Sequence, residues 1–343
     1  MKASLKRRNH DKVLSGRTYS RLKKITERSV IVIAPMSAGK STFINALIGQ
    51  EILPSANMAT TATITRIYNQ DHLPHFLGRA YSVSGECIRE EANLTDDIVC
   101  AWNADPNISR IDISGNIESL YNTEYNIVVY DTPGPNNSQD KSHEDLTMEV
   151  INNGNYGVIL YVLNATQLGT NDDFTLLEHV AQVLQKDKHK RIIFILNKAD
   201  CLDEEKGESI DQVIYRTVKY LIQIGFKRPT IIPTSAYLAF IIKKTLNNDS
   251  LSRIERFTLK NALENRLNNI NLGQYSFNVP NKFKPSATDI TVQEKNNFLL
   301  PKVDVHTMST SDIQLLISLM IQSGFFTVAS ILQHRLSPVK KKK

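Results

Sequence analysis

Cysteine is scarce here: Cys87, Cys100 and Cys201 are the only three in 343 residues, widely spaced and with no C-x-x-C pair. Such usage argues against a disulfide framework and for a reducing, cytoplasmic setting. His72, His75, Cys87 and Cys100 fit no standard zinc spacing, so surface histidines and small core cysteines are the expected reading. Long apolar runs are missing too. The longest, Leu315 to Ile321, falls far short of the roughly 18 residues a membrane-spanning helix needs. The N-terminal charges are not followed by an apolar segment, so a secretory signal is not expected. Acidic and basic residues nearly balance, but not evenly along the chain. Residues 1–29 carry +8 and Lys340 to Lys343 carry +4, which leaves −6 for the stretch between them. Cationic ends suit anionic partners, either phospholipid headgroups or nucleic acid, or serve merely as solvated tails.

What the chain does have is concentrated at the ends of apolar runs. Val30 to Ile33 reads as a buried strand and breaks into Ala34-Pro35-Met36-Ser37-Ala38-Gly39-Lys40-Ser41-Thr42. Phe43 to Ile48 then reads as a helix. Strand, loop and helix in that order make a phosphate-loop match credible. Backbone N–H groups of Ser37, Ala38, Gly39 and Thr42 can wrap a pyrophosphate, Lys40 can reach the β- and γ-phosphates, and the Ser41 hydroxyl can ligate Mg²⁺. The pattern usually opens with glycine, and Ala34 stands there instead. That is tolerable if its φ stays negative.

Four further segments follow in order. Ala59-Thr60-Thr61-Ala62-Thr63 lies where a switch threonine closes over Mg²⁺ and the γ-phosphate. Asn126 to Tyr130 is a strand delivering Asp131-Thr132-Pro133-Gly134, in which Asp131 holds the metal through water and Gly134 offers a backbone N–H. Arg191 to Leu196 is another strand, ending in Asn197-Lys198-Ala199-Asp200. The Asp200 carboxylate can accept from both N1–H and the 2-amino group of guanine. Adenine offers neither donor, and a charged acceptor left unpaired costs several kcal/mol if buried, roughly by the logic of polar mismatch. Ile231 to Pro233 ends in Thr234-Ser235-Ala236, which caps the base. Five such segments in order imply a guanine-nucleotide-binding protein whose ligands are GTP and GDP.

These residues resemble the dynamin superfamily of large GTPases, in its bacterial dynamin-like branch. The resemblance rests on Ser37 to Leu47 followed by Leu53-Pro54, on Thr60-Thr61-Ala62, on Asp131 to Asn136 and on Gln167 to Asp173, and it covers residues 30–240 and the last helix. It implies an α/β P-loop GTPase fold: a mostly parallel central sheet flanked by helices, with an extended insert between the switches. Thr61 and Asp131 are 70 positions apart, whereas one hairpin would need only about 20–25 residues. The resemblance assigns catalysis to Lys40, Thr61 and Ser37, the last as holder of a K⁺ or Na⁺ ion. It assigns Mg²⁺ to Ser41, Thr61 and Asp131, with Thr61 preferred over Thr60 on the family pattern. It also implies a homodimer through the nucleotide face. Two departures bear on rate. Met36 replaces the glutamine of fast dynamins, and Pro135 stands where Ras-like enzymes place theirs. Hydrolysis slow alone and faster on dimerisation is the expectation. The alternative is a nucleotide-gated module with little turnover that recruits DNA or a DNA-bound partner through its basic ends. Peripheral placement at the inner membrane face or the nucleoid fits either.

The chain divides, on this reading, into a basic lead-in (1–29), a GTPase domain (30–246), a helical and loop insert (247–310), closing helices of the same domain (311–336) and a basic tail (337–343). Ser109 to Ser114 alternates as a strand, Ile88 to Trp102 reads as a helix, Asp172-Asp173 cap a helix through Leu184, and Gly207 to Ile224 is an amphipathic helix. Glu144 to Ile151 and Tyr237 to Leu246 read as helices, Asn278 to Leu300 as a loop, and Ser311 to Leu336 as a helix interrupted at Ser323-Gly324. Too few residues follow Ser235-Ala236 for a long paired-helix stalk, so a GTPase domain without its assembly stalk is expected.

Overall fold

The computed structural model describes residues 27–54, 63–71, 73–120, 126–132, 147–152, 156–187, 190–265, 270–284 and 309–336. The expectations for Thr60, Thr61, Gly134, Pro135, the basic lead-in before residue 27, the basic tail and most of the 278–300 loop lie outside these residues.

Among the described residues, nine strands form one sheet: β1 (Arg28–Ile33), β2 (Ile64–Asn69), β3 (Leu77–Tyr81), β4 (Cys87–Glu91), β5 (Arg110–Gly115), β6 (Ile127–Asp131), β7 (Val158–Asn164), β8 (Arg191–Asn197) and β9 (Ile231–Pro233). Their order is β4-β3-β5-β2-β6-β1-β7-β8-β9. Strands β6-β1-β7-β8-β9 run parallel. Strand β2 pairs antiparallel with β6 and parallel with β5, and the β3–β4 hairpin adds the antiparallel far edge. The mostly parallel sheet and the insert between the switches are thus both present, with β3, β4 and β5 as the insert.

The helices are α1 (Lys40–Ile48), α2 (Asp96–Asn103), α3 (Asn171–Lys186), α4 (Ile210–Ile224), α5 (Ala236–Leu246), α6 (Arg253–Asn265), α7 (Thr310–Gln322) and α8 (Phe325–Leu336). Residues 147–152 are also helical. Alternation along β1 explains the two-sided core. Val30 and Val32 enter one apolar cluster with α1, α5, α7 and α8, while Ile31 and Ile33 enter the other with α3 and α4. A central parallel strand covered on both faces reads as an unbroken apolar run for this reason.

Two local expectations fail. Residues 88–102 are not one helix: Cys87–Glu91 is strand β4, and α2 begins only after Thr95, whose hydroxyl accepts from Ile98 N. The ladder to β3 pairs one side of the Cys87 to Glu91 backbone, which outweighs its weak helical pattern. Nor does Asp173 cap α3 (the Asp172 side chain lies outside the described residues). Thr170 does, accepting from Asp173 N at 3.3 Å. The Asp173 carboxylate turns inward instead and accepts from Tyr161 Oη at 2.7 Å. Burial raises its pKa above the ordinary carboxylate value, opposed by the two tyrosine hydroxyls of Tyr161 and Tyr220.

The Ser323-Gly324 break is real: α7 and α8 meet at 71°. Gly324 has φ +74°, and a Cβ there would lie 2.1 Å from Pro233 O. No other residue can turn so tightly against β9.

Candidate nucleotide site

The residues singled out in the sequence converge because parallel neighbours end at the same edge, where ligands of open α/β sheets bind. Strand β1 ends at the phosphate loop, β6 at Asp131, β8 at Asn197 and β9 before Thr234. Val32 sits opposite Asp131 in the β1–β6 ladder.

The loop after β1 is shaped by Ser37 at φ +60° and Gly39 at φ +86°, while Ala34 stays out of the left-handed region. A Cβ on Gly39 would lie 2.6 Å from Asn197 Nδ2, so the glycine is needed for space as well as for φ. Helix α1 starts at Lys40, which points its first N–H groups, including those of Ser41 and Thr42, into the loop. Lys40 Nζ donates to the Asp131 carboxylate and, at 2.6 Å, to Thr132 O. Thr132 Oγ1 donates to Val32 O at 3.1 Å and ties the two strand ends together. Met36 and Ser37 are exposed on the loop and Ala38 is buried.

Asn197 is the hub of the base side. Its Nδ2 donates to Ala38 O at 2.9 Å and its Oδ1 accepts from Ala236 N at 3.0 Å. One buried amide therefore joins the phosphate loop to the Ser235-Ala236 turn. Lys198 follows in the left-handed region at φ +61°. Ala199 N donates to Thr234 O at 3.1 Å, which locks the loop after β8 onto the end of β9. Asp200 keeps an exposed face, yet protein crowds the other side of its carboxyl. That desolvation raises its pKa above the ordinary value, opposed by the neighbouring Ser235 hydroxyl and the Lys198 charge. The Thr234 and Ser235 hydroxyls are buried without a well-formed hydrogen bond among the described residues.

Sequence reasoning missed one positioning element. Ser235 N donates to Ser323 O at 2.9 Å, so the α7–α8 break holds the Ser235-Ala236 turn from behind. The glycine in an otherwise apolar helical stretch was the available signal, but nothing in it named a partner so far away in the chain.

The donor chemistry suits Mg²⁺: a serine hydroxyl at the start of α1 and a carboxylate at the end of the adjacent strand are hard oxygen ligands. Lys40 Nζ, held by the Asp131 carboxylate, shows that this spot already accepts a cation.

A phosphate loop after the first strand of a parallel sheet, an aspartate at the neighbouring strand end and an Asn-Lys-x-Asp loop together define the P-loop GTPase class. Residues 30–199 match the family model described as "Dynamin family". The chain contains a dynamin-superfamily GTPase domain. Among curated proteins it is 25% identical over 229 residues to an "Uncharacterized protein in xynA 3'region" of Caldicellulosiruptor sp. (strain Rt8B.4), covering 65% of this chain and 52% of that protein. It is 24% identical over 244 residues to "Dynamin-like protein 1" of Campylobacter jejuni subsp. jejuni serotype O:23/36 (strain 81-176), covering 60% of this chain and 32% of that one. The chain thus spans about half or less of these relatives' length. A solved structure described as "An oligomerised bacterial dynamin pair provides a mechanism for the long range sensing and tethering of membranes" aligns with TM-score 0.50 and 19% identity, over 70% of this chain and 46% of that one. That likeness bears on the fold.

Proposed function

We propose that this chain binds GTP and hydrolyses it to GDP and phosphate, slowly by itself and faster when two nucleotide faces meet. The Asn197 bridge carries the reading, because it sets the phosphate loop, the Ser235-Ala236 turn and the Asp200 loop at one strand edge. On this proposal Ser41, Asp131 and Thr61 hold Mg²⁺, which supplies charge neutralisation at the phosphates when bound. Lys40 leaves the Asp131 carboxylate for the β- and γ-phosphates and supplies the fixed cation that a loose phosphoryl transition state favours. Backbone N–H groups of the loop, of the α1 N-terminus and of Gly134 add to it. Ser37, exposed beside them, is the candidate holder of a K⁺ or Na⁺ ion. Asp200 accepts from the guanine edge and excludes adenine.

Met36 projects from the loop with 64% of its surface exposed and offers no amide to orient water. This is the reason to expect slow turnover, and for dimerisation to raise it. Calorimetry with GTP, GDP and ATP tests the base assignment. Guanine nucleotides should bind at least ~100-fold more tightly than ATP, and Asp200→Asn should shift preference toward xanthine nucleotides. Equal affinity for ATP and GTP would remove the assignment. Single-turnover assays with and without potassium test the cation role of Ser37. Anionic lipid or DNA at the basic ends, and a location at membrane or nucleoid, are further proposals supported by the charge distribution alone.

A further inference from the structure

The two ends of the sheet carry opposite charge. At one end, the outer face of α4 and the turn after it expose Arg216, Lys219, Lys227 and Arg228 against the single acid Asp211. None of these four cations forms an ion pair with a carboxylate among the described residues. Between them project Tyr215, 65% exposed, and Ile222, 50% exposed. Positions 215, 219 and 222 fall on one stripe of a helix. Helix α4 packs beside β9 and α3, at the β9 end of the sheet.

At the other end, β4 is the edge strand among the described residues. Residues 79–105 hold six carboxylates against two arginines. Both arginines are already engaged, Arg79 with Glu90 at 3.1 Å and Arg89 with Asp105 at 2.6 Å. Glu86, Glu91, Asp96 and Asp97 are left to set the sign of this end, and Val83 (85% exposed) and Ile88 (42% exposed) project beside them. Eight strand spacings of about 4.8 Å separate the two edges, roughly 35–40 Å. The patches cannot meet within one chain.

We infer that the α4 face of one copy docks on the β3–β4 edge of a second copy. A second copy is favoured over a lipid surface or a nucleic acid because the complementary patch, opposite in charge and likewise carrying two projecting apolar side chains, is present on the same molecule. The contact is heterologous, so it does not close on itself and builds a linear array of domains. It uses neither the nucleotide face nor the chain ends, and it does not depend on nucleotide. Opposed surface charges of this kind weaken steeply as salt shortens the screening length.

Sedimentation velocity of the full chain without nucleotide tests this. At about 100 µM and about 50 mM NaCl the mean mass should exceed that of a monomer and rise with concentration, and at about 0.5 M NaCl it should fall back. Arg216→Gln/Lys219→Gln/Ile222→Ser on one face, and Glu86→Gln/Ile88→Ser/Glu91→Gln on the other, should each be monomeric at low salt. Both should bind GDP like the parent, which establishes folding. Mixed one to one, they should form a heterodimer and nothing larger, since each retains one intact face. A wild type that stays monomeric at low salt, variants that assemble as the parent does, or a mixture that stays monomeric would overturn the inference. So would a wild type that stays monomeric yet sediments with phosphatidylserine vesicles or shifts duplex DNA through the α4 face.

Discussion

Asn197 shows how much of a nucleotide site is built from side chains that need not touch the ligand. Both polar ends of its amide are taken by backbone, Ala38 O on the phosphate loop and Ala236 N at the start of α5. Replacing it with alanine leaves a buried carbonyl and a buried N–H unpaired, each worth about 1–3 kcal/mol. Asn197→Ala should therefore lower unfolding free energy by roughly 2–4 kcal/mol and weaken GDP binding at least ~10-fold. Urea titration and calorimetry on the same sample check both. The Asn-Lys-x-Asp spacing was legible. That Asn197 works as a brace was not, because its partners lie 159 and 39 positions away. Gly39 was legible as a phosphate-loop glycine, but its need for room against Asn197 Nδ2 is visible only in three dimensions.

At the scale of elements, the far end of α1 depends on a lysine. Lys243 of α5 is 1% exposed, donates to Ser119 Oγ at 2.6 Å and to Leu47 O at 3.4 Å, and lies 3.7 Å from the Glu118 carboxylate. Ser119 N donates to the same Leu47 O at 3.1 Å, so the connection after β5 and the helix α5 together cap α1. Burial pushes the Lys243 ammonium down to about 8, with Glu118 pulling it back up. Between that value and the ordinary lysine pKa near 10.4, the unfolded chain binds more protons than the folded one. Stability from this group therefore rises with pH through that window and is lowest below it. Lys243→Met keeps the length and removes the titration. Measured by urea unfolding at pH 7.5 and pH 9.5, the wild type should gain about 2 kcal/mol relative to Lys243→Met over that interval. An equal response of the two proteins would show that Lys243 is protonated throughout.

For the whole molecule, α7 and α8 share one apolar core with α1 and α5. Phe325 packs on Phe43 of α1 with ring centroids 5.6 Å apart, and Val328, Ile331 and Leu332 are buried in the same core as α1 and α5. The Ser323-Gly324 turn presses on Pro233 and Ser235. Ending the chain after residue 308 strips that core of its cover and exposes several large apolar side chains, each worth about 1.5–3 kcal/mol when buried. Such a chain should fail to fold cooperatively, as read by circular dichroism and by loss of GDP binding. Gly324→Ala should separate the local effect: folded, but with weaker GDP binding, because the turn behind Ser235 must shift. A truncated chain that binds GDP like the parent would show these helices to be dispensable.

The order of short polar motifs, each closing a β-branched apolar run, determined the class of protein from sequence alone. A buried parallel strand must be apolar on both faces, and its ligand residues must follow at its end, so motif and strand announce each other. The 70-residue spacing between Thr61 and Asp131 likewise forced an enlarged insert. Local pattern was not enough where a short segment had two uses. Cys87 to Glu91 carries little preference of its own, and only the ladder offered by β3 made it a strand. Asp173 had the composition of a helix cap, and Tyr161, packed across the core, turned it into a buried acceptor. The tertiary structure alone decided which polar side chains brace the site, which lysine is buried and which faces of the sheet ends carry opposite charge. Those properties depend on contacts between residues far apart in the chain, and no periodicity records them.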